Sequence, residues 1–443
     1  MGILAKVGGA LQRLFGEIAQ AAAAESGVIQ RKRKFDPVAL AKTFVLGFLQ
    51  NPRASDEQLA QMAAQCGAAV TPQAIEQRHT PKMVDFLEKM FRGATQTVVA
   101  SNRVLAPILE RFRKVILLDS STISLPDEME EKYRGCGGRH GSGAAAMKLQ
   151  TEWDLRSGAL SHVQIEPGRS SDGGTSRQEA RHGKGSLRIA DLGYFALPVL
   201  AAMTIAGEYF LSRLQFGTHV LLHSDGLAVD VLNWLAKQAG PFVDVSVLLG
   251  EAQRLPCRLI AWRLPPEQAN RRRQKLREDT MKKRGGEPSA ERLAWCDWTI
   301  LVTNIPLDLL TPPEAAVLYR ARWQVELLFK RWKSQGLVAE LSGSTAARQM
   351  VRVWSRLLAA LVQHWLTIGT VWGNPTKSLY KVYEAVRPFV GRLTAAMDCL
   401  TELKKVLQAM SETFAKTCGR NKRSKAGTIE MLNDVDRLDF CLT

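Results

Sequence analysis

One segment in the second half of the chain contains four polar residues of the types that bind phosphate or metal ions. These are Tyr319, Arg322, Glu326 and Lys333. On an α-helix, at about 100° per residue, all four fall within an arc of about 60°, and Lys330 lies close to that arc. A solvated helix face also mixes charges, but a phenol in line with arginine, glutamate and lysine favours an anion-binding face.

The opposite side of this segment carries only apolar side chains. They are Val317, Ala321, Val325, Leu328 and Trp332. An apolar stripe of this kind is typical of a helix that packs into a core. The segment is therefore predicted to be one amphipathic helix, buried on one side and presenting its polar side to a ligand.

Two carboxylates further upstream follow apolar runs. Asp119 ends the run Val115–Asp119, which reads as a buried strand, and Asp191 follows a second apolar run. Divalent metal ions in phosphodiester chemistry need several oxygen ligands, and these two residues are the candidates. The alternative for Asp119 is structural, as a cap of the next segment through Ser120 and Ser121.

The charge balance of the chain favours a polyanionic partner. Sixty Lys and Arg residues stand against 43 Asp and Glu residues in 443, a formal net charge of +17. This excess points to nucleic acid before membrane. The densest basic run includes Arg271, Arg272, Arg273 and Lys275; it is predicted to contact the DNA backbone, the alternative being a solvated face.

The elements that carry these residues change character along the chain. Residues 1–113 are helix-patterned and are predicted to form a DNA-binding region. In that region 56–65 and 71–79 fit either a helix-turn-helix or an ordinary helical hairpin. In the first case a DNA groove would meet the side chains of Gln73, Gln77, Arg78 and His79.

Residues 114–340 are predicted to form an α/β catalytic domain. Leu149–Leu155 and Ala159–Glu166 read as a hairpin around a turn that ends in Gly158. The span 216–310 is predicted to be a β-rich insertion, and 341–443 a helical region that could mediate dimerisation.

No segment reads as membrane-spanning. The most apolar stretch, Leu357–Val371, contains Gln363 and His364 and is predicted to be a buried helix. The seven cysteines are scattered without a CxxC pair, which favours a reducing compartment. A cytoplasmic, nucleoid-associated protein is expected.

The spacing Tyr319-x2-Arg322-x3-Glu326-x6-Lys333 resembles the signature of the IS-four family of bacterial DDE transposases. Leu117–Thr122 is similar to that family's first-Asp strand, and Ala190–Phe195 to its second-Asp segment. The strand-like Glu208–Leu214 also resembles the strand that follows it. The resemblance spans about residues 110–340.

The resemblance implies an RNase H-like catalytic core in which Asp119, Asp191 and Glu326 hold two Mg²⁺ or Mn²⁺ ions. Tyr319, Arg322 and Lys333 would hold phosphates of double-stranded DNA, at the inverted-repeat ends of the element and in the target. Relatives excise their element through a DNA hairpin, which displaces a base. Such a base would stack on an aromatic ring, and the candidates are Trp298 and Trp323.

Three functions are compatible with these residues. The first is a cut-and-paste transposase that acts as a homodimer on DNA. The second is an RNase H-like nuclease without end specificity, and the third is a transposase-derived regulator that binds DNA without cutting it. The intact carboxylate set argues against the third, and binding to inverted repeats would separate the first from the second.

Overall fold

The protein is described by a computed structural model that covers residues 2–30, 34–137, 143–223, 226–333, 345–421 and 426–437. Within these residues the strands are β1 (Val115–Ser124), β2 (Ala146–Asp154), β3 (Leu160–Pro167), β4 (Leu187–Ala190), β5 (Tyr209–Arg213), β6 (Val220–Leu222), β7 (Val243–Leu249), β8 (Leu255–Arg263) and β9 (Trp298–Thr303).

The described α-helices are α1 (Ile3–Arg13), α2 (Ala19–Ser26), α3 (Pro37–Gln50), α4 (Asp56–Gln65), α5 (Pro72–Glu76), α6 (Pro81–Thr95), α7 (Leu197–Ile205), α8 (Val231–Ala236), α9 (Pro266–Arg284), α10 (Ala290–Trp295), α11 (Pro312–Ala321), α12 (Trp323–Trp332), α13 (Ala346–Val371), α14 (Leu379–Ala385), α15 (Val390–Ala396), α16 (Leu400–Thr417) and α17 (Thr428–Asn433). A mixed α/β fold with helical regions on both sides, as predicted, is confirmed.

The chain divides into two compact units. Unit 1 comprises Met1–Leu105, Ser120–Ser170 and Glu326–Lys422, and unit 2 comprises Ala106–Asp119, Ser171–Val325 and Arg423–Thr443. The predicted domain boundary between 340 and 341 lies outside the described residues.

Unit 1 is built around the long helix α13. Nearly all of its side chains are buried, and it packs against α1, α3, α6 and α16. The apolar stretch predicted to be a buried helix is confirmed as its second half. In the described part of the chain, no helix is both long and apolar enough to cross a membrane.

The predicted hairpin also belongs to unit 1. Strands β2 and β3 pair antiparallel, with Gln150 opposite Gln164, and the turn ends at Gly158 with φ +78°. The Gly158 carbonyl accepts hydrogen bonds from Trp153 Nε1 at 2.9 Å and from His364 Nε2 at 2.8 Å. Burial lowers the pKa of His364 to about 4, so its ring stays neutral and serves as a core donor.

Of the two short helices predicted at 56–65 and 71–79, the second is shorter than predicted at its C-terminal end. Helix α4 has the predicted bounds, and Thr71 caps α5 through the Ala74 N–H at 3.3 Å. Helix α5 ends at Glu76, however, and the His79 ring lies 3.2 Å from Asp56, at hydrogen-bond distance; Asp56 also forms an ion pair with Arg348. The prediction of a helix reaching His79 is therefore wrong: the N–H groups of Arg78 and His79 donate to the carbonyls of Ile75 and Glu76, three residues back, and close a turn instead of continuing the α-helix.

Unit 2 is organised by a mixed sheet. Its strand order is β1-β4-β5-β9-β8-β7-β6, in which β1, β4 and β5 are parallel and the remaining neighbours are antiparallel. Helix α7 forms the crossover between β4 and β5. The predicted strands at 243–249, 257–264 and 298–303 are confirmed, with β8 beginning two residues earlier.

Apolar side chains of the antiparallel half form the core of this unit. The cluster joins α7 and α8 to strands β5 to β9, and includes Met203, Phe210, Leu235, Leu259 and Val302. The late helix α17 packs against α11, and its Ile429, Met431 and Leu432 are buried. Helix α11 thus packs against a segment that lies more than 100 residues later in the sequence.

The turn glycine of the β2–β3 hairpin offers a stability test. A Cβ at Gly158 would lie 2.6 Å from the Trp372 ring, in a backbone conformation that disfavours side chains. Gly158→Ala should lower the free energy of unfolding by about 2–4 kcal/mol, through backbone strain and overpacking together. Chemical unfolding followed by circular dichroism measures the change.

The matched control is Gly67→Ala in the same unit. Gly67 has φ +84°, but nothing lies within 4 Å of an added Cβ, so about 1–2 kcal/mol of backbone strain is expected alone. Equal losses for both variants would show that Trp372 does not constrain the turn.

Candidate active site

The site begins with two carboxylates on neighbouring parallel strands. Strands β1 and β4 are paired in parallel, and Leu118 lies opposite Ala190. Asp119 and Asp191 are the next residues along these two strands and therefore lie side by side. Neighbouring strands lie about 4.8 Å apart. Leu118 and Ala190 are buried with Tyr194 in a small apolar cluster directly before the carboxylates. Strand β1 continues to Ser124, so Asp119 lies in its middle rather than at its end.

The signature segment is predicted to be one helix, but the structure assigns two helices to it. Helix α11 ends at Ala321 and α12 begins at Trp323, with Arg322 between them. The Arg322 N–H donates to the Tyr319 carbonyl at 3.1 Å, and the Val325 N–H donates to the Arg322 carbonyl at 3.1 Å. Hydrogen bonds over three residues tighten the turn, as in a 3₁₀-helix. Arg322 itself keeps right-handed helical dihedral angles, φ −49° and ψ −38°, so the chain departs from the predicted helix only in this hydrogen bonding.

The apolar side of the same segment follows the prediction. Val317, Ala321, Val325, Leu328 and Trp332 are all buried. The turn at Arg322 thus leaves the packing pattern of the segment intact.

Arg322 lies beside the first carboxylate. Its Nη1 is 3.4 Å from Asp119 Oδ2, and both side chains are largely shielded from solvent. A charge pair in this partly dry position is stronger than one on the surface. Arg322 therefore compensates part of the negative charge that the pairing of β1 with β4 brings together.

Tyr319 lies near the second carboxylate. Burial raises the pKa of Tyr319 to about 12, and the charge of Asp191 acts in the same direction. Arg322 and Arg213 oppose that rise. The hydroxyl is buried, and no partner of acceptable geometry lies near it in the described residues. At neutral pH the phenol is protonated and can donate to a ligand.

Two further arginines face this position. Arg213 is the last residue of β5, and Arg272 lies on α9, where its Nη1 donates to the Trp298 carbonyl at 3.1 Å. Burial lowers the pKa of Arg272 to about 10, and the charge of Arg213 adds to the effect. Arg272 therefore remains cationic at neutral pH. Arg213 was not among the residues singled out from sequence, because its partners come from distant segments.

These side chains line a cavity of about 470 Å³ within unit 2. Its walls are formed by Asp191, Arg213, Trp262, Arg272, Thr299, Ala316, Tyr319, Arg320, Arg322, Trp323 and Thr428. Four arginines against one carboxylate make the cavity cationic, and two tryptophans and two threonines add flat and hydrogen-bonding surface. Such a cavity suits an anion that also carries a ring.

The basic run of α9 divides into different environments. Arg272 turns into the cavity, and Arg273 forms an ion pair with Asp297. Arg271 and Lys275 are exposed. The run is therefore neither wholly solvated nor wholly available to a ligand.

The tryptophans are placed differently from one another. Trp323 is 44% exposed and lines the cationic cavity. Trp298 is half-buried, packs against the core of unit 2 and lines a separate cavity of about 640 Å³. Trp262 lines both cavities. No sequence signal singled out Trp262, since an aromatic residue in a buried strand is usually core.

The remaining signature residues belong to unit 1. Glu326 is half-buried in the first turn of α12, Lys330 is exposed, and Lys333 follows the helix half-buried. Burial lowers the pKa of Lys333. In the described ranges, no three Asp, Glu, His or Cys side chains group closely enough to hold a metal ion by themselves.

Comparison with known proteins identifies the class. The family model described as "Transposase DDE domain" matches residues 110–362, more than half of the chain. The chain belongs to this family, and with it to the DNA transposases of DDE type, which depend on divalent metal ions. The parallel β1-β4-β5 core and the carboxylates at its edge fit the RNase H-like fold expected of that class.

Relatives narrow the class to insertion-sequence enzymes. The chain is 28% identical over 360 residues to the transposase of insertion sequence element IS231B from Bacillus thuringiensis subsp. berliner, covering 76% of this chain and 74% of that one. It is 28% identical over 341 residues to the IS231F transposase of subsp. israelensis, covering 72% and 70%. For the IS1151 transposase of Clostridium perfringens the identity is 26% over 314 residues, covering 66% and 65%. The chain is an insertion-sequence transposase, consistent with the IS-four resemblance.

The division of the basic run generates a prediction. Arg272→Ala should weaken DNA binding about 10–100-fold, because a charged hydrogen bond in a dry cavity is worth roughly 1.5–3 kcal/mol. Arg271→Ala, one residue earlier and exposed, should cost at most one phosphate contact and lower the salt slope by about 0.9. Gel shifts at several salt concentrations measure both.

The thermal unfolding midpoint of each variant serves as the folding control. Losses of the same size and the same salt dependence for both arginines would mean that the cavity contributes nothing beyond general attraction.

Proposed function

We propose that this transposase cuts phosphodiester bonds at the ends of its element and joins the freed ends to target DNA. The observation that carries the proposal is the parallel register that sets Asp119 beside Asp191, next to a cavity walled by four arginines. Carboxylates suit divalent cations, and arginines suit phosphate oxygens. Both are required where a metal-dependent enzyme holds a nucleic-acid backbone.

Asp119, Asp191 and Glu326 are the residues proposed to hold the metal ions. Their oxygens are the hard ligands that Mg²⁺ or Mn²⁺ prefers, and two ions are proposed. These residues would hold ions whose Lewis acidity would make a water molecule a better nucleophile and would favour departure of the 3′ oxygen. In the joining step, that 3′-OH would attack a target phosphodiester and release one strand end.

Phosphate positioning is assigned to the arginines and the tyrosine. Arg322 can keep one side of its guanidinium on Asp119 and offer the other to a phosphate oxygen. Tyr319 donates its hydroxyl proton in a hydrogen bond, since its pKa of about 12 keeps it protonated. Arg213 and Arg272 supply further charge from the far wall. Lys330 and Lys333 are proposed to contact the DNA of the end outside this cavity.

The cavity is proposed to receive one displaced nucleotide during hairpin formation. Its volume, about 470 Å³, falls within the roughly 300–1,000 Å³ typical of small-ligand pockets. Trp323 is the candidate for stacking on the base, because it is exposed and lines the cavity. Trp298 remains a second candidate from the sequence. The exposed Arg271 and Lys275 and the ion-paired Arg273 are proposed to meet the backbone of the flanking duplex.

Cutting two ends in concert requires two catalytic centres, and a homodimer assembled on DNA is therefore proposed. A nuclease without end specificity would use the same carboxylates. Preference for duplex that carries the terminal inverted repeats over random duplex separates the two functions.

Removing the carboxylates tests the catalytic assignment. Asp119→Ala, Asp191→Ala and Glu326→Ala should each reduce end cleavage in Mg²⁺ by more than about a hundredfold, since even outer-shell partners of a metal site are worth about 10–100-fold. Binding to end-containing duplex should survive. Denaturing gels and gel shifts measure the two quantities.

Asp308→Ala, an exposed carboxylate of unit 2, is the matched control and should cleave normally. A triad variant that cleaves as well as this control would remove its residue from the site.

The geometry of Arg322 gives a separate prediction. Arg322→Lys keeps the charge but loses the fork that can serve Asp119 and a phosphate together, so cleavage should fall about 10–100-fold. Arg322→Ala and Lys333→Ala should weaken complexes with cleaved ends more than complexes with random duplex. Gel shifts at one salt concentration compare the two DNAs, and equal losses on both would contradict the specific role.

A further inference from the structure

A second basic cluster lies at the opposite edge of the parallel strands. We define the amino-edge patch as Arg113, Lys114, Arg177, Arg181 and Lys184. Arg113 and Lys114 directly precede β1, and the other three lie in the segment before β4. All five belong to unit 2, and no role in the site described above falls on them.

Backbone pairing brings these residues together. The Arg113 N–H donates to the Gly185 carbonyl at 2.9 Å, and the Leu187 N–H donates to the Lys114 carbonyl at 2.9 Å. A Cβ at Gly183 would lie 2.7 Å from Arg113 Nη1, so the guanidinium lies against that glycine. The stem of Lys184 packs in the same way against Gly207, with Cγ 3.0 Å from a Cβ placed there.

The segment before β4 is held in a fixed shape. Glu208, only 1% exposed, accepts hydrogen bonds through Oε1 from the backbone N–H groups of His182 and Gly183. The buried Arg188 donates from Nη1 to the Gln178 carbonyl at 2.9 Å. The carboxylate of Glu208 is thus bonded to the backbone of this segment, and Arg181 Nη1 donates to the Glu179 carbonyl at 2.9 Å.

The positive charge here is dense enough to act on a neighbouring histidine. Burial lowers the pKa of His182 to about 4, and the charges of Lys114, Arg177, Arg188 and Arg181 act in the same direction. Arg113, Arg181 and Lys184 are exposed, and Lys114 and Arg177 are half-buried. Three of the five cations of the patch are therefore accessible to a ligand from solvent.

We propose that the amino-edge patch binds the phosphate backbone of a second segment of duplex DNA, separate from the one being cut. Asp119 lies four residues beyond Val115 on β1, about 13 Å along the strand at 3.3 Å per residue. A phosphodiester at the carboxylates is therefore at the other end of these strands. The proposal rests on the DNA partner proposed above, but not on the catalytic roles of the carboxylates.

Duplex DNA fits the dimensions of the patch. The first residues of β1, β4 and β5 span about 10 Å at 4.8 Å per strand, and Lys184 reaches the third of these strands through its contact with Gly207. B-DNA carries one charge per about 1.7 Å of axis. Mixed Arg and Lys side chains suit contact with the phosphate backbone rather than base reading. Glu179 is the acidic side chain exposed within the same segment.

The test is a two-step binding assay with the full chain. The protein is first saturated with unlabelled end-containing duplex, and labelled random duplex is then titrated at several salt concentrations. The variant carries Arg113→Ala, Arg181→Ala and Lys184→Ala; the control carries Lys404→Ala, Lys405→Ala and Lys416→Ala, which removes the same charge from exposed positions of α16. The variant should lose second-duplex affinity, and its log–log salt slope should flatten by about 2–3, at roughly 0.9 per phosphate contact.

End cleavage by the variant should match that of the control, which separates this proposal from the catalytic one. Second-duplex affinity and salt slope equal to those of the control would overturn it. A parallel loss of end binding would also overturn it, because the patch would then hold the DNA being cut. The single change Arg181→Glu, at an exposed side chain, should cause a smaller loss of second-duplex affinity. It keeps the proposal testable if the triple variant does not fold.

Discussion

The parallel pairing of β1 with β4 is the constraint on which the active site depends. Its register sets Leu118 beside Ala190, so the carboxyl side chains of Asp119 and Asp191 follow next to each other on adjacent strands. Like charges at such separation repel strongly in a partly dry environment. Arg322 at 3.4 Å from Asp119, and the arginines around Asp191, offset that repulsion. The same cations are then already positioned for a substrate whose backbone is negative.

The positive charge of the chain is organised rather than spread evenly. One group of cations surrounds the carboxyl ends of the parallel strands, and another collects at their amino ends. Some basic residues are consumed by the fold, as in the Arg273–Asp297 pair and in Arg188. Net charge alone therefore overstates the surface that is available to DNA, and the position of each arginine decides its role.

The sequence was informative where the determinants are local. Apolar runs, the turn at Gly158 and the N-cap Thr71 predicted strands and helices at or near their observed bounds, because these signals act over a few residues. Helical spacing also identified the buried side of the signature segment. It did not predict the break at Arg322, since two hydrogen bonds of shorter range replace the regular pattern there.

Contacts between distant segments lay beyond such reasoning. Nothing in the run Arg271–Arg273 distinguishes the arginine that lines the cavity from the one that stays exposed. The groups near Arg272, which are Arg213 and the Trp298 carbonyl, come from distant parts of the sequence. Trp262 and Arg213 were missed for the same reason. The triad and the DNA-contacting residues carried over from the family resemblance remain predictions, although the family itself is shown.

Thr428 has a consequence for the order in which the enzyme matures. This residue lines the cavity, and α17 packs against α11. Chains leave the ribosome from the N-terminus and fold as they emerge. The signature residues are therefore exposed to the cytosol long before the last wall of the cavity has been synthesised. A nascent or prematurely terminated polypeptide would carry the carboxylates and arginines without a closed pocket around them, so translation itself delays the moment at which the site is completed.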